Sequence, residues 1–164
     1  MLADERGVEP VAEREVVITR VLDAPARLLF AAYSAPEHLT QWFGPKGWPL
    51  TLCEMDFRVG GRYRFAMTGP DGTQATPFGG EYLEIAPNRK IVYTSAFETP
   101  DAESMTVTIT FDEEGGQTTL TIHTLFASVA MKNTLLGMDY AQGMASGLEQ
   151  LGDVVAALRA RERT

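Results

Sequence analysis

The groups able to do acid, base or nucleophilic chemistry are few and scattered. There are two histidines, His38 and His123, and one cysteine, Cys53. His38 sits in a short polar stretch, and His123 shares its face with Thr119 and Thr121, opposite Leu120 and Ile122, so both are expected on the outside. Cys53 lies in a strand-like run and reads as a small buried hydrophobe. Being single, it forms no intramolecular disulfide. Glu84 has apolar neighbours; it either faces water or faces the interior, where Arg62 or Arg64 would have to pair it. Tyr93, Glu84 and His123 are the residues an acid–base mechanism would use, yet spacing assembles no base, nucleophile and orienter. No catalytic residue is assigned on this basis. No Cys/His cluster has zinc-ligand spacing, and neither G-x-G-x-x-G nor G-x-x-x-x-G-K occurs, so no metal and no cofactor is expected.

What the sequence does offer is aromatic and methionine side chains on alternating faces. Tyr63, Phe65 and Met67 alternate with Arg62, Arg64 and Ala66, and Tyr82, Tyr93, Phe97, Met105, Val107 and Ile109 fall in similar runs. Such lining suits an apolar ligand pocket, and it suits a plain core equally. Trp42, Phe43 and Trp48 flank Gly44-Pro45 and Gly47; they either gate a pocket mouth or anchor the short helices beside them. Met144, Leu148, Leu151, Val155 and Leu158 recur at helical spacing near the end of the chain. The same stretch holds Gly137, Gly143, Gly147 and Gly152, each costing about 1 kcal/mol against alanine inside a helix. Gly137 and Gly147 share a face with Met144 and Leu148, which means either close helix–sheet packing or room for a ligand.

The elements that must position these residues follow from pattern. Glu15–Leu22 is rich in β-branched residues and reads as a strand. Asp23 is placed to cap, and Pro25 to open, a helix over Ala26–Ser34; a second short helix spans Glu37–Phe43 and stops at Gly44-Pro45. Strands are expected over Leu50–Arg58, Arg62–Thr68, Thr76–Ala86 with a bulge at Gly79-Gly80, Ile91–Glu98, Ser104–Asp112 and Thr118–Leu125. Short turns join them, predicting an antiparallel meander. A long helix with Arg159, Arg161 and Arg163 at its C-terminus completes an α+β layer arrangement.

At 164 residues the chain accommodates one domain, expected over 15–160, with a loose tail over 1–14 and a C-terminal end over 161–164. Lys and Arg number 14 against 22 Asp and Glu, a net charge of −8, which argues against nucleic-acid partners. No apolar run reaches the roughly 18 residues of a membrane span, and the acidic N-terminus is no signal peptide. A cytoplasmic location is expected, as a monomer or as a homodimer formed through an edge strand such as Glu15–Leu22.

In order along the chain, six pieces resemble one family. They are Ala24-Pro25; Pro36-Glu37-His38-Leu39 with Trp42-Phe43-Gly44-Pro45; Asp56-Phe57-Arg58-Val59-Gly60-Gly61-Arg62-Tyr63; Gly80-Glu81-Tyr82-Leu83-Glu84-Ile85-Ala86-Pro87; the threonine-rich pair Thr106–Phe111 and Thr118–His123; and the helix Gly143–Leu158. The chain resembles the SRPBCC group, the START-like helix-grip fold also found in birch-pollen-allergen-like proteins. More narrowly it resembles the branch of the activator of 90-kDa heat-shock protein ATPase homologues. The resemblance implies a curved antiparallel sheet of about seven strands wrapped around a long C-terminal helix, with a cavity between them. It departs from the family at Met144, where a tryptophan is usual, so the pocket beside it would differ in shape.

The function this implies is binding of a small apolar or aromatic ligand, such as a lipid, flavonoid or polyketide-like molecule. Cavity candidates are Trp42, Trp48, Tyr63, Phe65, Met67, Tyr82, Tyr93, Phe97, Met105, Val107, Met144, Gly147, Leu148 and Leu151. Two alternatives stay open. One is a chaperone co-factor, although a chain of this length has no room for the extra N-terminal domain of the eukaryotic activators. The other is a cyclase or hydratase using the same cavity.

Overall fold

The computed structural model describes residues 10–138 and 140–162. Much of the tail expected over 1–14, together with Arg163 and Thr164, lies outside the described residues; from Pro10 the chain makes one 3-10 turn, Val11–Glu13, and enters the sheet. The strands are β1 Glu15–Leu22, β2 Leu50–Met55, β3 Arg62–Met67, β4 Phe78–Ala86, β5 Lys90–Phe97, β6 Met105–Glu114 and β7 Gln117–Leu125. The helices are α1 Ala26–Ser34, α2 Pro36–Leu39, α3 Val129–Gly137 and α4 Tyr140–Glu162.

The strands form one antiparallel sheet in the order β1-β7-β6-β5-β4-β3-β2. β1 is therefore an edge, and α1, α2 and the loop behind them carry the chain to the opposite edge at β2. From there it meanders back. Alternation decides which face is buried: Val107, Ile109 and Phe111 of β6 and Leu120 and Ile122 of β7 point inward. The curved sheet wraps α4, so the fold is the α+β helix-grip arrangement. Leu148, Leu151, Val154 and Val155 of α4 and Leu28, Leu29 and Ala32 of α1 join the same buried cluster.

Several boundaries differ from the sequence pattern, each for a local reason. The short helix stops at Leu39 and turns follow it. β2 ends at Met55 because Arg58 N–H donates to the Asp56 carbonyl at 2.9 Å and Gly61 N–H to the Arg58 carbonyl at 2.8 Å, closing a turn. The bulge in β4 falls at Leu83, where the register with β5 slips. Gly79 and Gly80 answer a different need: a Cβ on either would strike the carbonyl oxygen of Tyr63 or Thr94 on the flanking strands. Helix α3 has no counterpart in the expected order, and it takes Gly137 out of the long helix. Asp23 does not cap α1. The Ala26 N–H instead donates to Glu113 Oε1 at 2.7 Å, while Asp23 accepts from Arg159 at the far end of α4. Arg27 forms two bonds to Glu162, at 2.5 and 2.6 Å, so the end of α4 is fastened to the start of α1.

The carboxylate of Glu113 thus meets a helix N-terminus that has no cap of its own. Glu113→Ala is expected to cost about 1 kcal/mol, which would lower the melting temperature by roughly 2 to 4 °C. A calorimetric scan showing no change would rule out this cap as a stabilising contact.

Candidate functional site

An interior cavity of about 290 Å³ lies between the inner face of the sheet and the α3–α4 corner. Its position follows from how unevenly α4 fills the sheet's concavity. The C-terminal half of α4 delivers Leu151, Val154 and Val155, all buried. The N-terminal half delivers Met144 and Leu148, each preceded by a glycine, Gly143 and Gly147, that adds no side chain. Interiors pack to near-crystalline density wherever side chains allow, so the open space falls where α4 has least to offer.

The loop after α2 forms one wall. Trp42 is buried and donates its indole N–H to the Ala32 carbonyl at 3.0 Å, anchoring the loop to α1. Gln150 of α4 donates to the carbonyls of Trp42 and Gly44 at 3.0 and 2.7 Å, and the Lys46 N–H donates to Ser146 Oγ at 2.9 Å. Gly44 has φ +99°, and a Cβ there would sit 2.6 Å from Met67 Sδ, so only glycine lets the loop pass over β3.

Of the residues proposed from sequence, Trp42, Tyr63, Phe65, Met67, Tyr93, Phe97, Met105, Val107, Met144, Gly147 and Leu148 surround this space. Three do not. Trp48 is 40% exposed and rests on Gly69 outside. Tyr82 lies deeper, beside a void of only about 20 Å³. Leu151 is packed into the solid core below. Gly147 borders the cavity but also packs on the loop, since a Cβ there would touch the Gly44 and Trp42 backbones at 3.6–3.7 Å. Gly137 meets nothing within 4 Å and plays no part.

Phe43 and Pro45 of the loop, which the sequence marks as either a pocket mouth or an anchor, also border the cavity; sequence reasoning missed Tyr33 of α1, Phe78 of β4, Ser95 of β5, and the α3–α4 corner, with Met131, Leu135, Met138 and Tyr140. A signal for α3 was present. Ser128 caps it by accepting the Met131 N–H at 3.0 Å, and Met131, Leu135 and Met138 recur at spacings of four and three.

Among the described residues that line the cavity there is no Asp, Glu, His, Lys, Arg or Cys. The polar groups are hydroxyls. Tyr63 donates to the Thr94 carbonyl at 2.6 Å, and Tyr140 bonds Thr124 at 2.9 Å. All five tyrosines of the chain gather around this interior, and burial pushes every one of their hydroxyls above the ordinary value. For Tyr93 the proximity of Tyr63, Tyr33, Tyr140 and Tyr82 adds to the effect.

The remaining candidates lie elsewhere. Glu84 is solvated and pairs with Lys90 at 3.4 Å; Arg62 and Arg64 pair with Glu81 and Glu98 instead. His123 meets Glu15 at 2.6 Å on the outer face of the β1–β7 pair. Cys53 is half-buried, with its thiol pushed up by desolvation. A wider groove of about 640 Å³ over Gly79 and Gly80 lies on the outer face, and its Arg64 is already bound to Glu98. Among the described residues no group of three or more potential ligands could hold a metal ion, and no helix is long and apolar enough to cross a membrane.

A model of the family described as activator of Hsp90 ATPase homolog 1-like protein matches residues 23–158. Solved structures similar to the chain include a protein from Nitrosomonas europaea, 24% identical, covering 91% of this chain and 98% of that one with a TM-score of 0.82. A protein from Chromobacterium violaceum is 28% identical over 85% of this chain and 96% of its own, with a TM-score of 0.76. One from Mycobacterium smegmatis is 27% identical over 91% and 95%, with a TM-score of 0.79. No protein with a curated description matches the chain.

The raised tyrosines have a consequence for alkaline stability. In the unfolded chain a tyrosine ionises near its ordinary value of about 10; in the folded chain it stays protonated well above that. A pKa raised by folding gives stability that is fully present below the unfolded value and is lost as pH rises through the folded one. The protein is therefore expected to unfold cooperatively above about pH 10. Phenolate absorbance should appear together with loss of the far-ultraviolet circular dichroism. Gradual ionisation near pH 10 with the fold intact would contradict the burial of these groups.

Proposed function

We propose that this chain, which belongs to the activator of Hsp90 ATPase homolog 1-like family, binds a small apolar or aromatic molecule in the cavity under α4. The observation that carries the reading is the lining itself: aromatic rings, methionines and aliphatic side chains around about 290 Å³, with hydroxyls as the polar contacts. A cavity of about 150 Å³ with apolar walls takes up benzene. This one has nearly twice that volume, which suits two or three fused rings better than a sterol or a long acyl chain.

The lining also bears on the alternatives. A hydroxyl held protonated by burial donates hydrogen bonds and does not act as a general base. Tyr93 could still polarise a carbonyl, so the cyclase reading survives only in a form that uses an acid alone. The chaperone reading rests on the family relationship.

A thermal-shift screen with fatty acids, sterols, flavonoids and aromatic polyketides tests the reading. A ligand at one hundred times its dissociation constant adds about 2.7 kcal/mol, expected to raise the melting temperature by roughly 5 to 11 °C. Met144→Trp would fill the space with an indole. The variant should melt at or above the wild-type temperature and lose the ligand-induced rise. No shift across the panel, or an undiminished shift in Met144→Trp, would refute binding at this place.

A further inference from the structure

Among the four tyrosines that border the cavity, two differ from the others. Tyr63 and Tyr140 spend their hydroxyls on Thr94 and Thr124. Those of Tyr33 and Tyr93 have no hydrogen-bond partner among the described residues. No side-chain oxygen among those residues is both sealed off and unpartnered, so both hydroxyls open onto free space. Tyr33 is only 8% exposed, and both residues border the cavity. Both also border the void of about 20 Å³ beside Tyr82, so the space open to a guest larger than one water is the cavity. The two rings come from opposite walls, Tyr33 from α1 and Tyr93 from β5.

A hydroxyl turned into an apolar cavity without a protein partner is costly to keep, whereas phenylalanine would fill the same volume at no such cost. Two of them at one cavity indicate a bond made to something else. Kept neutral by their surroundings, they are donors seeking an acceptor. Among the described residues no cation borders the cavity to neutralise a carboxylate, and bringing an unpaired anion into such a place is strongly unfavourable.

Building on the binding reading above, we propose that the occupant is an uncharged fused-ring aromatic compound whose ketone or quinone oxygen accepts hydrogen bonds from Tyr33 and Tyr93, and that carboxylates of the same skeleton are refused. The rings stack among Phe43, Phe65 and Phe78, whose faces already meet edge-on or offset at 5.5–6.2 Å.

Calorimetric titration with three probes of one shape tests this: xanthone, xanthene and a xanthone carboxylate. Xanthone is expected to bind about tenfold more tightly than xanthene, which lacks the carbonyl. The carboxylate should show no binding. Tyr33→Phe and Tyr93→Phe should bring xanthone toward the xanthene affinity and leave xanthene itself unchanged. Their melting temperatures should match or exceed that of the wild type, which separates lost recognition from lost folding. The infrared carbonyl stretch of bound xanthone should fall in the wild type and recover in Tyr93→Phe. Equal affinities for xanthone and xanthene, or equal losses for both in the variants, would overturn the hydroxyl assignment while leaving an apolar binding cavity in place. Binding of the carboxylate would overturn the charge selection. Binding of none of the three would remove the cavity reading and this inference together.

Discussion

One constraint governs the interior: a single helix has to fill the hollow of a seven-stranded curved sheet, and α4 has enough side chain for only half of it. Along Leu148, Leu151, Val154 and Val155 the helix closes against α1 and the inner face of the sheet. Toward its N-terminus the loop after α2 packs on the glycines at 143 and 147, Met144 and Leu148 are left to face the space beside the sheet, and the sheet does not bend in to fill it. The core and the cavity are therefore one hydrophobic space, solid at one end and open at the other. The ion pairs Arg27–Glu162 and Arg159–Asp23 lock the solid end. At the open end, neutral hydrogen bonds through Gln150 and Ser146 hold the loop over the cavity.

Most of this arrangement could be read from the sequence because it rests on period-two alternation. β1 and α1 have the expected limits, β2 ends three residues early, and the later strands shift by a residue or two at their ends. Inward residues of β3, β5 and β6 therefore appeared among the cavity candidates, although alternation separates inside from outside and does not separate cavity from core. That is why Leu151 and Tyr82 were grouped with Leu148 and Tyr63: they share a face and differ only in depth. Depth depends on how far α4 stands off the sheet, which is a tertiary property. Trp48 was misplaced for another reason. Its neighbours suggest a pocket mouth, but its ring rests on the bare backbone of Gly69, a partner twenty-one positions away. Helix α3 is harder to read because it is only nine residues long and its polar and apolar residues segregate weakly around its axis.

The tyrosines show stability and recognition pulling apart. Their rings are good core material: Tyr63 packs against Tyr82 and Tyr93 at 5.4 and 5.6 Å, and Tyr33 against Trp42 at 4.7 Å. Their oxygens are poor core material unless a carbonyl or another hydroxyl meets them. The fold supplies such partners for Tyr63 and Tyr140 and, among the described residues, withholds them from Tyr33, Tyr82 and Tyr93. Local departures of this kind from what folding alone would favour are concentrated where proteins do their work.

The placement of the two tryptophans gives the molecule a built-in optical contrast. Trp42 forms part of the cavity wall, is shielded from water and has its N–H bonded, so its emission is expected toward the blue. Trp48 lies outside, wetted and away from the cavity, and emits further to the red. An aromatic guest in the cavity would quench the blue component by contact and leave the red one nearly untouched. The shape of the emission spectrum, more than its intensity, therefore distinguishes a guest inside the fold from one adhering to its surface.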